Sequence, residues 1–342
     1  VTMFVPVVDS ENKPLMPTTP ARARKWVKSG KATAFFKKGL FCVRLNVEPS
    51  NRILQEIAVG IDPGSKKEAF TIKSESHTYL SVQTDAVTWV KEAVESRRNA
   101  RRNRRQRKTP CRKNKMNRSR GTLAPSTRAR WGLKIRISQW LCSVFPVSCF
   151  VVENITARTR PGQRNWNVSF SPLQVGKREF YDRLQDLARL ETREGWETAE
   201  YRTGLRLRKT SKKLSNDFSA HCVDSWVLAN EWVGGHTSID NTRRMIISPF
   251  QFHRRQLHVF QPAKGGVRKN YGSTRSLGFK RGSLITHPKY GKAFVGGTSQ
   301  GRVSLNSVSK GKRLCQNAKV EDVNFKSYYP WTYFHIQNEI LS

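Results

Sequence analysis

Apolar positions along this chain come in short runs, and the runs change period from one segment to the next. "MFVPVV" near the N-terminus predicts a short strand. "PARARKWVKSG" predicts a basic helix, because Thr18 or Thr19 supplies a capping oxygen and Pro20 suits a first helical turn. Trp26 on that helix is expected to pack into a core. In "EIAVGIDPGSKKEAFTI", Ile57, Ala58, Val59 and Ile61 read as a buried strand that stops at Asp62-Pro63-Gly64-Ser65. The Pro-Gly pair turns the chain, "EAFTI" begins a second strand and "HTYLSVQT" a third. This is a three-stranded meander with an acid at the end of its first strand. "VSCFVVENI" is another short apolar strand, with Glu153 towards its C-terminal end. "LSNDFSAHCVDSWVLANEW" switches to helical spacing. Phe218, Cys222, Ser225 and Trp226 fall broadly on one side, and His221 and Asp224, at i and i+3, project from an adjacent side. Asp217 either complements the helix dipole from the N-terminal end or joins that pair. Beyond about residue 241, "GSLITHP", "KAFVGGTS", "GRVSLNSV" and "AKVEDVNF" predict a small antiparallel barrel. Strands interspersed with helices make the chain α/β.

Charge changes this picture most. The 342 residues carry 63 Lys and Arg against 25 Asp and Glu, a formal net charge of +38. So large a charge repels itself unless a polyanion is part of the working particle. No apolar run approaches the ~20 residues of a membrane span, and the N-terminus lacks the apolar core of a signal peptide. The length suggests two or three modules. Cys42, Cys111, Cys142, Cys149, Cys222 and Cys315 form no C-x-x-C pair, which disfavours a zinc ribbon and suits reduced, mostly buried thiols of a cytoplasmic protein. In "ESRRNARRNRRQRK", residues 95–108, seven Arg and one Lys follow a single acid. On a helix, Arg97, Arg101, Arg104, Arg105 and Lys108 form one stripe and Arg98 and Arg102 its neighbour. Such a helix cannot bury itself in a protein core and is stabilised by phosphates along its sides; the bland alternative is a basic linker.

The scarce acids are unevenly placed. Between Glu95 and Glu153 there is no Asp or Glu. Asp62 and Glu153 nonetheless end apolar strands, where a carboxylate is costly unless a cation or donor meets it. Two such acids on neighbouring strands repel each other unless a metal lies between them. Singly, Asp62 could be a turn former, Glu153 and Asp224 surface acids, and His221 a helix-surface residue. The ordered set of strand Asp, strand Glu and helix His-x-x-Asp is more specific than its members.

In that order the segments resemble the split motifs of a RuvC-type nuclease with an RNase H-like fold: "GIDPGS" the first, "VVEN" the second, "HCVD" the third. Pro14-Leu15-Met16-Pro17 looks like the PLMP segment of the transposon-encoded RNA-guided nucleases IscB and IsrB. "RRNARRNRR" lies where that family has its arginine-rich bridge helix, and "NVSFSPLQVGKREFYDRL" is also similar to it. The 67 residues between Glu153 and His221 hold no histidine or cysteine, so an HNH nuclease insert is absent, as in the IsrB branch.

The resemblance implies an RNase H-like core split by a basic bridge helix, with a small N-terminal domain and a β-rich C-terminal one. The expected layout is a PLMP domain at 1–52, RuvC part I at 53–93, the bridge helix and a basic linker at 94–122, RuvC parts II and III at 123–240, and a C-terminal β-rich domain at 241–342. Asp62, Glu153 and Asp224 would hold Mg²⁺, usually two ions about 4 Å apart. His221 would ligate metal or orient or deprotonate the attacking water. Arg97, Arg98, Arg101, Arg102, Arg104, Arg105 and Lys108 would cradle a long, structured omega-type guide RNA and its heteroduplex by the backbone, helped by Arg22, Arg24 and Lys25. Arg254, Arg255, Gln256 and His258 are candidates for reading a short motif beside the double-stranded DNA target, or for RNA phosphates alone. The expected particle is a monomeric ribonucleoprotein that nicks the non-target strand. Competing readings are a structure-specific junction nuclease that needs no RNA, and a non-catalytic RNA-binding protein.

Overall fold

The computed structural model describes residues 4–106, 123–156, 171–249, 258–261, 267–270, 275–308, 311–328 and 331–336. The described residues form a mixed α/β structure with five sheets and six helices. The chain divides into two compact units: Val1–Thr33, Val43–Ile247 and Phe334–Ser342 make the first, Ala34–Cys42 and Ser248–Tyr333 the second.

The N-terminal segment runs β1 (Val5–Val8), β2 (Pro14–Thr18), α1 (Pro20–Lys28), β3 (Ala32–Lys37) and β4 (Leu40–Leu45), with sheet order β2-β1-β4-β3. Thr19 is the cap of α1, its side chain accepting from the Arg22 amide, and Pro20 takes the first turn. Ala23, not Trp26, is the buried residue of α1; the indole of Trp26 is only half-buried. A nine-residue helix with basic residues on most sides presents a narrow apolar stripe, and the smaller residue fills it.

The main sheet of the first unit grows from the meander. β5 (Ile57–Asp62), β6 (Lys67–Ser74) and β7 (Thr78–Asp85) pair antiparallel in succession. Then come α2 (Trp89–Gln106), α3 (Pro125–Cys142), β8 (Cys149–Asn154), α4 (Pro172–Gln185), β9 (Arg189–Glu194), α5 (Gly195–Gly204), α6 (Phe218–Val233) and β10 (Arg244–Pro249). β8 lies parallel to β5, β9 parallel to β8, and β10 parallel to β7. With β20 (Trp331–Ile336) the order is β20-β10-β7-β6-β5-β8-β9. β5 is buried along its whole length, as an interior strand covered on both faces requires.

Strand alternation sorts the two faces. Ala58 of β5, and Cys149 and Val151 of β8, pack with Leu228 and Ala229 of α6, and Ala69 of β6 packs with Phe218, Cys222 and Trp226. Glu68 points to the other face and forms a fully buried ion pair with Lys134 of α3 (2.7 Å). Small residues let α6 approach the sheet closely. A Cβ on Gly60 would stand 1.9 Å from the Ser225 carbonyl oxygen, and Thr71 bonds Ser225 hydroxyl to hydroxyl at 2.7 Å. Backbone cannot yield there as a side chain can. Gly60→Ala is therefore expected to cost about 3 kcal/mol or more, read as a lower urea midpoint at unchanged slope. The far end of α6 is tied by Lys73, buried in the sheet, whose ammonium donates to the Gly234 carbonyl at 2.7 Å.

The second unit contains a five-stranded antiparallel sheet of β15 (Ser283–His287), β16 (Gly291–Ser299), β17 (Arg302–Ser307), β18 (Arg313–Ala318) and β19 (Asn324–Tyr328), in the order β18-β17-β16-β15-β19. Ile285, Val295, Val303 and Leu305 form its core. No ladder joins β18 to β19 among the described residues. "AKVEDVNF" is corrected: Val320–Val323 is a turn, closed by Val323 N–H to the Val320 carbonyl, and the strands lie on either side of it. Glu-Asp at its centre favours the turn over a ladder. Two short hairpins complete the described strands: β11 (His258–Gln261) with β12 (Val267–Asn270), and β13 (Arg275–Ser276) with β14 (Phe279–Lys280).

Candidate active site and nucleic-acid interface

Register brings the first two acids together. Ile61 pairs with Val152 in the parallel β5–β8 ladder, so Asp62 and Glu153 occupy the next rung, on the face covered by α6. Asp224 and His221 enter from that helix, one turn apart. His221 Nδ1 lies 2.9 Å from Asp62 Oδ2 and Nε2 lies 3.0 Å from the Lys213 carbonyl oxygen. Both partners offer acceptor oxygens, which favours a proton on each ring nitrogen and so the charged ring. Burial works against that charge. The hydrogen bonds to Asp62 and Lys213 and the Asp62 charge outweigh it, and the His221 pKa is raised. Held this way, both ring nitrogens of His221 are engaged within the chain.

Asp224 is buried to 1% exposure and both its oxygens meet cations: Arg202 Nη1 of α5 at 2.5 Å on Oδ1, and the Lys209 ammonium on Oδ2. Glu153 differs. Among the described residues no donor or cation bonds its carboxylate. A Cβ on Gly195, at the start of α5, would stand 3.3 Å from Glu153 Oε1. Burial, then the negative charges of Asp62 and Asp224, push the Glu153 pKa up to about 7, against the opposing pull of Lys209 and Arg202. The three acids of the sequence motifs are thus one electrostatic cluster. The adjoining Asn154 is held by Lys177 of α4, whose ammonium donates to Oδ1 at 2.7 Å.

That rise has a signed consequence. A folded-state pKa of about 7 against 4.5 means that the folded chain binds more protons than the unfolded one between these values. Stability contributed here is present below pH 4.5 and lost as the pH rises through 7, by about 3 kcal/mol in all. Glu153→Gln removes the penalty. The variant is expected to be more stable than wild type by that amount at pH 8 and to converge with it near pH 4, measured by urea unfolding. An offset independent of pH would show that Glu153 is not the titrating group.

Residues 5–164 match the model of a family described as RRXRR protein. The matched stretch includes Asp62, Glu153 and the run Arg101-Arg102-Asn103-Arg104-Arg105, which has the described pattern. No curated protein matches the chain. Among solved structures, the yeast mitochondrial Holliday junction resolvase Ydc2 is 14% identical, over 54% of this chain and 80% of that one, with a TM-score of 0.27.

The arginine-rich run is helical. α2 begins at Trp89, eight residues before the first arginine of the run, with Glu92 in its first turn. Trp89 and Val90 are half-buried, and residues 91–103 are exposed, Arg97, Arg98, Arg101 and Arg102 among them. Arg104 and Arg105 continue the helix; Lys108 lies outside the described residues. Arg22, Arg24 and Lys25 are exposed on α1. Arg254, Arg255 and Gln256 lie outside the described residues, and His258 opens β11. No helix among the described residues is long and apolar enough to cross a membrane.

A divalent metal suits this donor set in kind: three carboxylates of hard oxygen, converging from two parallel strands and a helix, with Asp62 and Asp224 raising the proton affinity of Glu153. Among the described residues no three His, Cys, Asp or Glu are placed to hold an ion as they stand. The oxygens of Asp224 face Arg202 and Lys209, and Asp62 Oδ2 faces His221. Arg202 and Lys209 were not singled out by sequence. Each is one of 63 basic residues, and nothing in "YRTGLRLRKT" marks them apart.

Proposed function

We propose that this chain is an RNA-guided DNA endonuclease of the IsrB type. In this reading one RuvC-type site on an RNase H-like core nicks the non-target strand of duplex DNA. The observation that carries it is the adjacent placement of Asp62 and Glu153 on parallel strands, coupled to Asp224 from α6. The match over 5–164 supports it, since that family model is found in IscB- and IsrB-like proteins. The exposed α2, with acids only near its start, supports a polyanionic partner.

Asp62, Glu153 and Asp224 would hold the metal, Mg²⁺ by the hardness of their oxygens. When bound, the metal supplies an activated water and charge stabilisation at the scissile phosphate. The chain's own residues position these groups. β5 and β8 hold two carboxylates in register. The ring of His221, bonded through Nδ1, fixes the Asp62 carboxylate. Arg202 counters the charge of Asp224. α2 would bind the guide RNA through phosphates, and the second unit would meet the target-adjacent duplex.

The deciding experiment is to purify the full chain from cells carrying its locus, sequence the RNA that accompanies it, and use that RNA as guide in a Mg²⁺ nicking assay on matched duplex DNA. One discrete RNA that directs a single-strand nick to its match is the expected result. A preparation without discrete RNA that cuts branched DNA would replace guided nicking with junction cleavage.

A further inference from the structure

We propose that the Lys209 ammonium is the resident counter-ion of the Asp62–Glu153–Asp224 cluster, and that a divalent cation enters the cluster by displacing it. This rests on the metal site proposed above.

Lys209 contacts Asp224 directly and also interacts with the charges of Asp62 and Glu153, so its ammonium sits where all three acids act on it. Its delivery is built into the chain. Leu205 and Leu207 pack against the core of Phe218, Cys222 and Trp226, and the Thr210 amide donates to the Ser219 carbonyl at 3.0 Å. These anchors flank Lys209 and fix the backbone from which it reaches inward. Arg202 is a different kind of cation. It lies on a regular helix and its planar fork is less exposed, 19% against 31% for the Lys209 side chain. A flexible, strongly hydrated ammonium at the partly open side is the group able to swing into water. A metal at Asp224 Oδ2 would stand beside the like-charged Lys209 ammonium, so the two repel and compete. Lys209 keeps the cluster neutralised before metal arrives, at the expense of metal affinity.

The test is Mn²⁺ binding to the full chain, followed by the loss of the free-ion electron paramagnetic resonance signal. Lys209→Met is expected to bind Mn²⁺ about tenfold more tightly than wild type or more. Lys209→Arg, which keeps a cation, should stay near wild type. Lys212→Met removes the same net charge from an exposed neighbour and should also stay near wild type. Equal binding by the two Met variants, or weaker binding by Lys209→Met, overturns the proposal. Should Lys209→Met fail to fold, judged by circular dichroism, Lys209→Gln takes its place with the same expectation. Absence of saturable Mn²⁺ binding in wild type and every variant would instead sink the metal site itself.

Discussion

On the proposed function, Asp62→Ala is expected to lower Mg²⁺-dependent strand cleavage on the order of 10³-fold or more and to leave binding of RNA and of target duplex within about twofold. The asymmetry follows from where Asp62 sits. Its carboxylate is buried at the end of β5, bonded to His221 and adjacent to Glu153, and it touches none of the exposed arginines of α2. The substitution removes one of three carboxylates that would hold metal and releases the ring of His221. It also relieves like-charge repulsion on Glu153, so the fold should not suffer. Gel-shift titration beside a nicking time course separates the two effects. Cleavage at the wild-type rate would strike Asp62 from the site, and parallel loss of binding and cleavage would point to a structural role.

The second large effect concerns the arginine run. Replacing Arg101, Arg102, Arg104 and Arg105 together with Gln keeps good helix formers in place and removes four charges. If all four contact phosphates, the slope of log affinity against log salt falls by about 3, and affinity for the guide RNA drops roughly a hundredfold or more near physiological salt. Arg101 and Arg102 are exposed, and among the described side chains of α2 only Trp89 and Val90 are even half-buried. Affinity and slope both unchanged would reduce the run to a linker that happens to be helical.

Both predictions rest on features visible before folding. Asp62 and Glu153 could be singled out because a carboxylate at the end of an apolar run is improbable without a partner. α6 could be drawn because the period changes at Phe218. The meander, the cap of α1 and the helical character of the arginine run are local properties, decided by turn chemistry, capping oxygens and propensity. Local reasoning failed where alternatives were near in energy. "AKVEDVNF" has strand-like valines around a turn-forming Glu-Asp pair, and the turn prevails because the strands beside it already find partners. β9 and α5, in "RLETREGWETAEYRTG", carry no clean period, since an edge strand with one exposed side and a short surface helix both tolerate polar residues throughout.

What the sequence determined by itself is therefore the set of acids, the elements that carry them, and a polycationic helix with no core to join. What only the tertiary structure decided is who meets whom. Parallel pairing of β8 beside β5 sets Asp62 and Glu153 on the same rung; Gly60 lets α6 close enough to bring Asp224 and His221 over them. Arg202 and Lys209, alike in sequence to dozens of other cations, become distinctive only through their distance to a buried carboxylate. Chain connectivity and side-chain type govern local structure, whereas electrostatic coupling depends on separation and burial, and those exist only once distant segments have packed.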